Sequence, residues 1–575
     1  MFGIRTSCFA GVAFAVVSAF QAQAAPPRIF YSDLESGPNV GGENGAGVFV
    51  TIYGARFGAS AGTSFVSLGG EAPVAYRAWS DTRITFQIGP GTPTGNITVT
   101  TATGESNGVP FRVRDGRIYF VSPSGRDSND GSFTSPWRTV LKARDAIGAG
   151  DTVYLMNNIS QAADDGQGWS TSMLLRRGGA AGAPMAFVAY PGATATIGSA
   201  TGPSYGIRGV DTGALSGYWV FAGLVLRGAS AAMVLAGPSQ SWRIVGNDMS
   251  CPNGNGEVGC FASSKSSYVS FYGNTVHDAG TANASAHYHG IYWSTDSNHI
   301  DMGWNTVYNI RGCRGVQTYS TPLGSGGASD PTGHNLHNIS IHDNVIHDTQ
   351  CDGILLATID PSQGKVEVYN NVIYSAGRGP ANPENTGAWT CVNVPGTTAN
   401  GSPGGGVVDV FQNTLYDCGS FANPPYANAN GAIENGGNNT NLKILLRNNI
   451  VYQPATAPYL VTFGPCDGIQ GTNNLFFGGG APPATARLTR SIVADPQFAN
   501  LTNRDFRLTA ASPARGAGVE TSTATDRNGI LRCGSTPDVG AYQYEAESSN
   551  TASVGALRRR SFPNPCRTES PIRVR

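Results

Sequence analysis

Short runs of alternating apolar and polar residues open the chain: GVFVTIYGARFG (47–58), TSFVSLGG (63–70), TRITFQIGP (82–90) and GNITVTTATGESNG (95–108), each closed by turn residues. A period of two over such short runs predicts a small β-sandwich, bounded here at residues 25–115. The pattern changes at Ile118. Residues 118–155 read as a strand, a Gly/Ser/Asp/Asn loop, an amphipathic helix near Val140 to Ile147 and a second strand.

Farther on, a block recurs: RIVGNDM, SFYGNTVHD, DMGWNTVYN, SIHDNVIHD, EVYNNVIYS, DVFQNTLYD and LLRNNIVYQ. Each carries an asparagine at one register, Asn247, Asn274, Asn305, Asn344, Asn371, Asn413 and Asn449. A repeat of roughly 30–40 residues is that of a solenoid coil of short strands with loops of varying length. Asparagine tolerates left-handed backbone and bonds its neighbours, so these residues are expected to stack as an internal ladder at a tight turn. One strand later, His277, Tyr308, His347, Tyr374, Tyr416 and Tyr452 form a second column, expected to be structural.

A further strand precedes each block, in GIYW (290–293), GVQT (315–318), GILL (353–356) and AIEN (432–435). Its second residue is β-branched and must face the core, which sends Tyr292, Gln317, Leu355, Asn393 and Glu434 outward. His289, Arg314 and Asp352 stand just before the strand and are expected to stack in the same way. Long insertions at 321–338, 375–389 and 395–406 flank this strand and are expected to wall a groove over it.

Composition agrees with an extended all-β chain: 77 glycines in 575 residues, with 13% charged. Residues 1–24 combine Arg5, an apolar run from Gly11 to Phe20 and Ala22-Gln23-Ala24, the pattern of a secretory signal. No later stretch is long and apolar enough to span a membrane, so export to a secreted or periplasmic location is expected. A net charge of -1 argues against nucleic acid as partner. Cys313 and Cys351 share a register, and Cys251 and Cys260 bracket a short loop; both pairs are expected to form disulfides on export. After residue 545 the Ser/Thr/Asn-rich and then Arg/Pro-rich tail has no periodicity and reads as disordered.

All eight histidines fall between His277 and His347. Such crowding marks a candidate site, because histidine titrates near neutrality and serves as acid, base or metal ligand. For a polymer containing uronic acids, β-elimination requires a base, neutralisation of the carboxylate and an acid for the leaving oxygen. His287, His289, Tyr292 or Lys265 are the candidate bases, and Arg314 with Gln317 the carboxylate clamp. Tyr319 and Trp389 are candidate platforms for sugar rings, and Asp352, Glu384, Asn393 and Glu434 complete the substrate-binding set. Hydrolysis is the rival, through paired carboxylates among Asp352, Asp296, Glu384 and Glu434. A carbohydrate-binding adhesin without catalysis is the third reading. No closed ligand pattern calls for a cofactor or a structural metal, and calcium held by Asp352 and loop oxygens remains an alternative. The expected partner is an acidic polysaccharide, bound by a monomer.

Three resemblances add to this. Gly54-Ala55-Arg56-Phe57-Gly58 and Asn107-Gly108-Val109-Pro110-Phe111 resemble strands of the immunoglobulin-like, plexin and transcription-factor (IPT/TIG) domain, which implies a spacer or sugar-contacting module. The stretch 118–155 with GAPMAFVAYPG (182–192), and the ending at 494–518, resemble the entry cap and closing coil of secreted parallel β-helix proteins of the pectate-lyase and alginate-lyase type. That resemblance implies a right-handed parallel β-helix over residues 116–545. Ser264-Lys265-Ser266-Ser267 with Asn274-Thr275 is similar to the lysine-bearing coil of alginate and chondroitin lyases, which implies Lys265 as base, although Thr295 stands where those enzymes carry a partner arginine.

Overall fold

The computed structural model describes residues 25–210, 217–281, 284–320, 336–378, 389–395, 405–419, 431–436, 442–453, 457–462, 468–483, 486–532 and 534–545. The segments read as signal and tail, 1–24 and 546–575, lie outside the described residues, as does Glu384. Strands from Arg28–Ser32 to Val109–Val113 form two small sheets that face each other as a sandwich. From Ile118 to Val493 the strands are parallel and stack coil upon coil. The expected class, an all-β solenoid preceded by an Ig-like sandwich, is what the chain forms.

Each coil presents three faces. In one coil, His289–Ser294 lies on the groove face, Asn298–Gly303 on a flank and Thr306–Ile310 on the back. Alternation within the groove strands sends every second residue into the core, and the first of these forms an apolar column. Ile207, Met233, Phe261, Ile291, Val316, Ile354, Val392 and Ile433 pair in register and are all buried. Helix α1 (Val140–Ala146) caps the open end, with Val140 and Ala143 packed on the first coils. Thr139 starts it, accepting a hydrogen bond from the Lys142 amide at 3.1 Å.

The asparagine ladder forms as expected and runs one coil farther, to Asn474. Asn274 Nδ2 donates to Asn305 Oδ1 at 3.1 Å, Asn305 Nδ2 to Asn344 Oδ1 at 2.9 Å, and Asn449 Nδ2 to Asn474 Oδ1 at 2.9 Å. Each ring of the second column also sits in register with the next; His277, Tyr308, His347 and Tyr374 stack with centroids 5.2, 5.3 and 4.6 Å apart. Both expected disulfides are present, and Cys391–Cys418 is a third.

Two features differ from expectation. Residues 494–518 add no closing coil. Phe498–Asn500 and Asp505–Leu508 form an antiparallel hairpin that lies back along the solenoid, where Phe506 packs on Val372, Tyr374 and Tyr416. The sandwich, moreover, is docked rather than strung out as a spacer. Its core is continuous with Phe120, Tyr154, Val188, Val220 and Val245 of the flank face, because that face presents apolar side chains outward over the first coils. Tyr154 donates to the Phe49 carbonyl at 3.0 Å and accepts from its amide at 2.7 Å. Arg243 Nε donates to the Asp33 carbonyl at 3.0 Å, and Arg56 reaches the carbonyls of Asn528 and Gly529.

Candidate active site

Pairing on the groove face places Tyr292 beside Gln317, Gln317 beside Leu355, Leu355 beside Asn393 and Asn393 beside Glu434. This is the outward column expected from alternation. Over it opens a cavity of about 600 Å³ lined by His287, His289, Tyr292, Arg314, Gln317 and Tyr319, together with Glu257, Ser294, Leu355, Ala357 and Pro395. Six of the expected site residues therefore share one surface. Glu257, which sequence reasoning missed, comes from the loop closed by Cys251–Cys260. The bracketing cysteines were the only signal that this loop is pinned near the groove.

His287 is exposed at the rim, whereas His289 is 1% exposed and forms the floor. The His289 ring meets Tyr292 edge-on, with centroids 5.3 Å apart. Burial, then the Arg314 charge, hold the imidazole well below its ordinary pKa, so it is neutral. Its buried Nδ1 finds no hydrogen-bond partner among the described residues, nor does Gln317 Oε1. Buried polar atoms are nearly always satisfied, so these two, on residues that line the cavity, call for a partner such as an ordered water or a ligand's polar group. Burial pushes the Tyr292 phenol far up, with Tyr319 and Glu257 adding to it, so this side chain keeps its proton. That shift argues against Tyr292 as a base.

Arg314 is aimed by its neighbours. Its Nε donates to Asp352 Oδ2 at 3.2 Å and its Nη1 to the Ala286 carbonyl at 3.3 Å. Asp352 is buried and fully engaged: its Oδ1 accepts from the Thr390 amide at 2.9 Å and from Asn393 Nδ2 at 3.3 Å. It is therefore a support beneath Arg314 and not the substrate-binding group expected, because its side chain is fully buried and does not line the cavity. Among the described residues no group of three or more His, Cys, Asp or Glu side chains is placed to hold a metal.

Trp389 is 2% exposed and packs on the buried Cys313 and Cys351, so it is no sugar platform; the disulfide draws it into the wall. Lys265 is exposed on a left-handed bend between the groove and flank strands (φ 51), outside the cavity lining. Its amide donates to the Thr295 carbonyl at 2.6 Å, which confirms the register with Thr295 but not a place in the groove. Glu434 lies buried at the far end of the column. Burial, then the Asp352 charge, push its carboxyl up to about 8, and its Oε2 has no partner among the described residues. The greater part of the three insertions expected to wall the groove lies outside the described residues.

The IPT/TIG domain family model matches residues 35–113, so the sandwich belongs to that domain class. For the solenoid the similarity is to solved structures. Pectate lyase Pel9A matches at 16% identity over 75% of this chain and 97% of that one, with a TM-score of 0.48. An alginate lyase from Paenibacillus sp. matches at 15% over 62% and 96% (TM-score 0.34), and a family 28 exopolygalacturonase from Yersinia enterocolitica at 12% over 82% and 97% (TM-score 0.36). No curated protein matches the chain. Among the described residues no helix is long and apolar enough to cross a membrane.

Proposed function

We propose that the chain is an exported carbohydrate-active enzyme whose groove cleaves an acidic polysaccharide by β-elimination. The observation that carries this reading is a neutral histidine with an unpaired buried nitrogen, next to a fixed arginine, on the floor of a cavity open to a long groove. A weakly acidic C–H beside a carboxylate requires a base that is unprotonated at working pH, and His289 meets that condition. His289 takes the proton, the released electron pair forms the ring double bond, and the bond to the glycosidic oxygen breaks. Tyr292, which keeps its phenolic proton, supplies it to the leaving oxygen. Arg314 and Gln317 hold the substrate carboxylate, whose negative charge grows as the proton leaves. The disulfides fit an oxidising compartment outside the cytoplasm.

One observation favours hydrolysis as a second reading: Glu434 holds a proton at neutral pH and is a ready general acid. Its neighbour Asp352 is tied on both oxygens, which leaves that reading without a base among the pair.

Alanine variants separate the roles. On a polymer the parent degrades, His289→Ala is expected to lower kcat at least about 100-fold with KM little changed. Arg314→Ala is expected to impair both constants, since the substrate's charge is present in ground and transition states. His287→Ala, at the rim, loses less than His289→Ala, and Lys265→Ala keeps the parent rate. Loss of turnover in Lys265→Ala with His289→Ala fully active moves the base to the lysine and overturns the assignment.

A further inference from the structure

The column that carries Tyr292 does not begin there. Leu174 pairs with Arg208, Arg208 with Val234, Val234 with Ala262 and Ala262 with Tyr292, so Arg208 occupies the same outward position three coils upstream. At the spacing of parallel strands this is roughly 14 Å from Tyr292. The floor between is apolar and continuous: Ala231, Val234 and Ala262 pack together, with Tyr205 and Tyr292 against them at its two ends.

At the upstream end stands an unusual group. The Arg208 guanidinium lies 4.3 Å from the centre of the Trp169 ring and 4.7 Å from that of Tyr205. Trp169 is nevertheless 58% exposed, the most open tryptophan among the exposed large hydrophobic residues. Its backbone and that of Ser170 are both left-handed (φ 64 and 47), a conformation that bulky residues rarely adopt. Neighbours enforce it: the Tyr205 amide donates to the Ser170 carbonyl at 3.1 Å and the Ser204 amide to Ser170 Oγ at 3.2 Å. Strain held in place by surrounding bonds, with a large aromatic ring kept in solvent, is a feature of ligand clamps rather than of packing.

We propose that Trp169, Tyr205 and Arg208 form a distal subsite of the groove, which stacks and charge-pairs with an upstream acidic sugar of the polysaccharide bound at His289. The inference rests on the reading of the groove as a site for an acidic polysaccharide and makes it more specific. The substrate is a chain long enough to span the apolar floor, held at both ends by an arginine beside aromatic rings. Pyranose faces stack on tryptophan, and the guanidinium meets a carboxylate.

The test is calorimetric titration of the full chain with galacturonic-acid and mannuronic-acid oligomers, from the disaccharide to the octasaccharide, in His289→Ala protein to suppress turnover. Affinity is expected to rise with length until the oligomer spans the floor, and the further substitution Trp169→Ala to remove that rise, an affinity loss of about tenfold for the longest oligomer. Trp169→Phe should restore most of it. Because Trp169 is largely exposed, its removal leaves no core cavity. Equal loss on short and long oligomers, no loss on either, or no binding by any oligomer overturns the proposal. A length-dependent loss on a polymer that the parent does not cleave by elimination would keep the subsite and sink the elimination reading; elimination by the parent with a length-independent Trp169→Ala does the reverse.

Discussion

The histidines illustrate what single residues reveal and conceal. Crowded in sequence, they separate in space, because one coil takes roughly 30–40 residues and visits three faces. His277 and His347 are rungs of the aromatic column. His342 lies between Asp301 and Asp343, which push it up to about 9 against the opposing effect of burial, and His299 lies against Tyr268 on a distant bend. Among the described residues only His287 and His289 line the groove cavity. Side-chain direction was legible for Tyr292, Gln317 and Glu434 from alternation alone, whereas burial was not, since the neighbouring coils and walls that cover Asp352 and Trp389 come from segments far away in sequence. Glu434 carries a prediction of its own. Its carboxyl titrates near 4.5 when unfolded and at about 8 when folded. Between those values the folded chain keeps a proton that the unfolded chain has released, so stability falls as pH rises across that window. Glu434→Gln should flatten this part of the profile in denaturant titrations between pH 5 and 8, and an unaltered slope would mean the carboxyl is not buried as described.

At the scale of elements, the repeat was the most legible feature, because one asparagine marks the same turn in each coil from Asn247 to Asn474. Asn305 bonds in both directions: on the coil before, its Oδ1 accepts from the Asn274 amide at 2.8 Å and its Nδ2 donates to the Phe271 carbonyl at 2.9 Å, and on the coil after, its Nδ2 donates to Asn344 Oδ1 at 2.9 Å. Asn305→Ala leaves the buried Phe271 carbonyl and Asn274 amide of the preceding coil without this partner, at a cost of about 1–3 kcal/mol. Chemical denaturation should report that loss, and a variant within a few tenths of the parent would mean that water replaces the ladder. Cys391–Cys418 escaped sequence reasoning because Cys391 takes the place of the glycine that begins the other groove strands, opposite Gly353 rather than in the register of Cys313 and Cys351. The groove's upstream end escaped it too. Trp169 lies in a loop with no period, and only three-dimensional register brings Arg208 into line with Tyr292.

For the whole molecule, the sandwich and the C-terminal hairpin act as braces. A solenoid touches mainly its own neighbouring coils, so its exposed apolar flank must be covered. Sequence identified the sandwich but not its docking, since the apolar residues that receive it, such as Val188 and Val220, alternate like any other strand residues. Tyr154→Phe removes the hydroxyl that pairs both backbone groups of Phe49 across this junction. The unfolding free energy should fall by about 1–3 kcal/mol. An unchanged denaturation midpoint would show that the junction contributes little to stability.

The most direct test counts, on any acidic polysaccharide that the protein degrades, the ultraviolet-absorbing unsaturated ends formed per new reducing end. Elimination at His289 predicts one unsaturated end for each reducing end, with both signals lost together in His289→Ala. Reducing ends that accumulate without absorbance would contradict the account and transfer the chemistry to hydrolysis with Glu434 as acid.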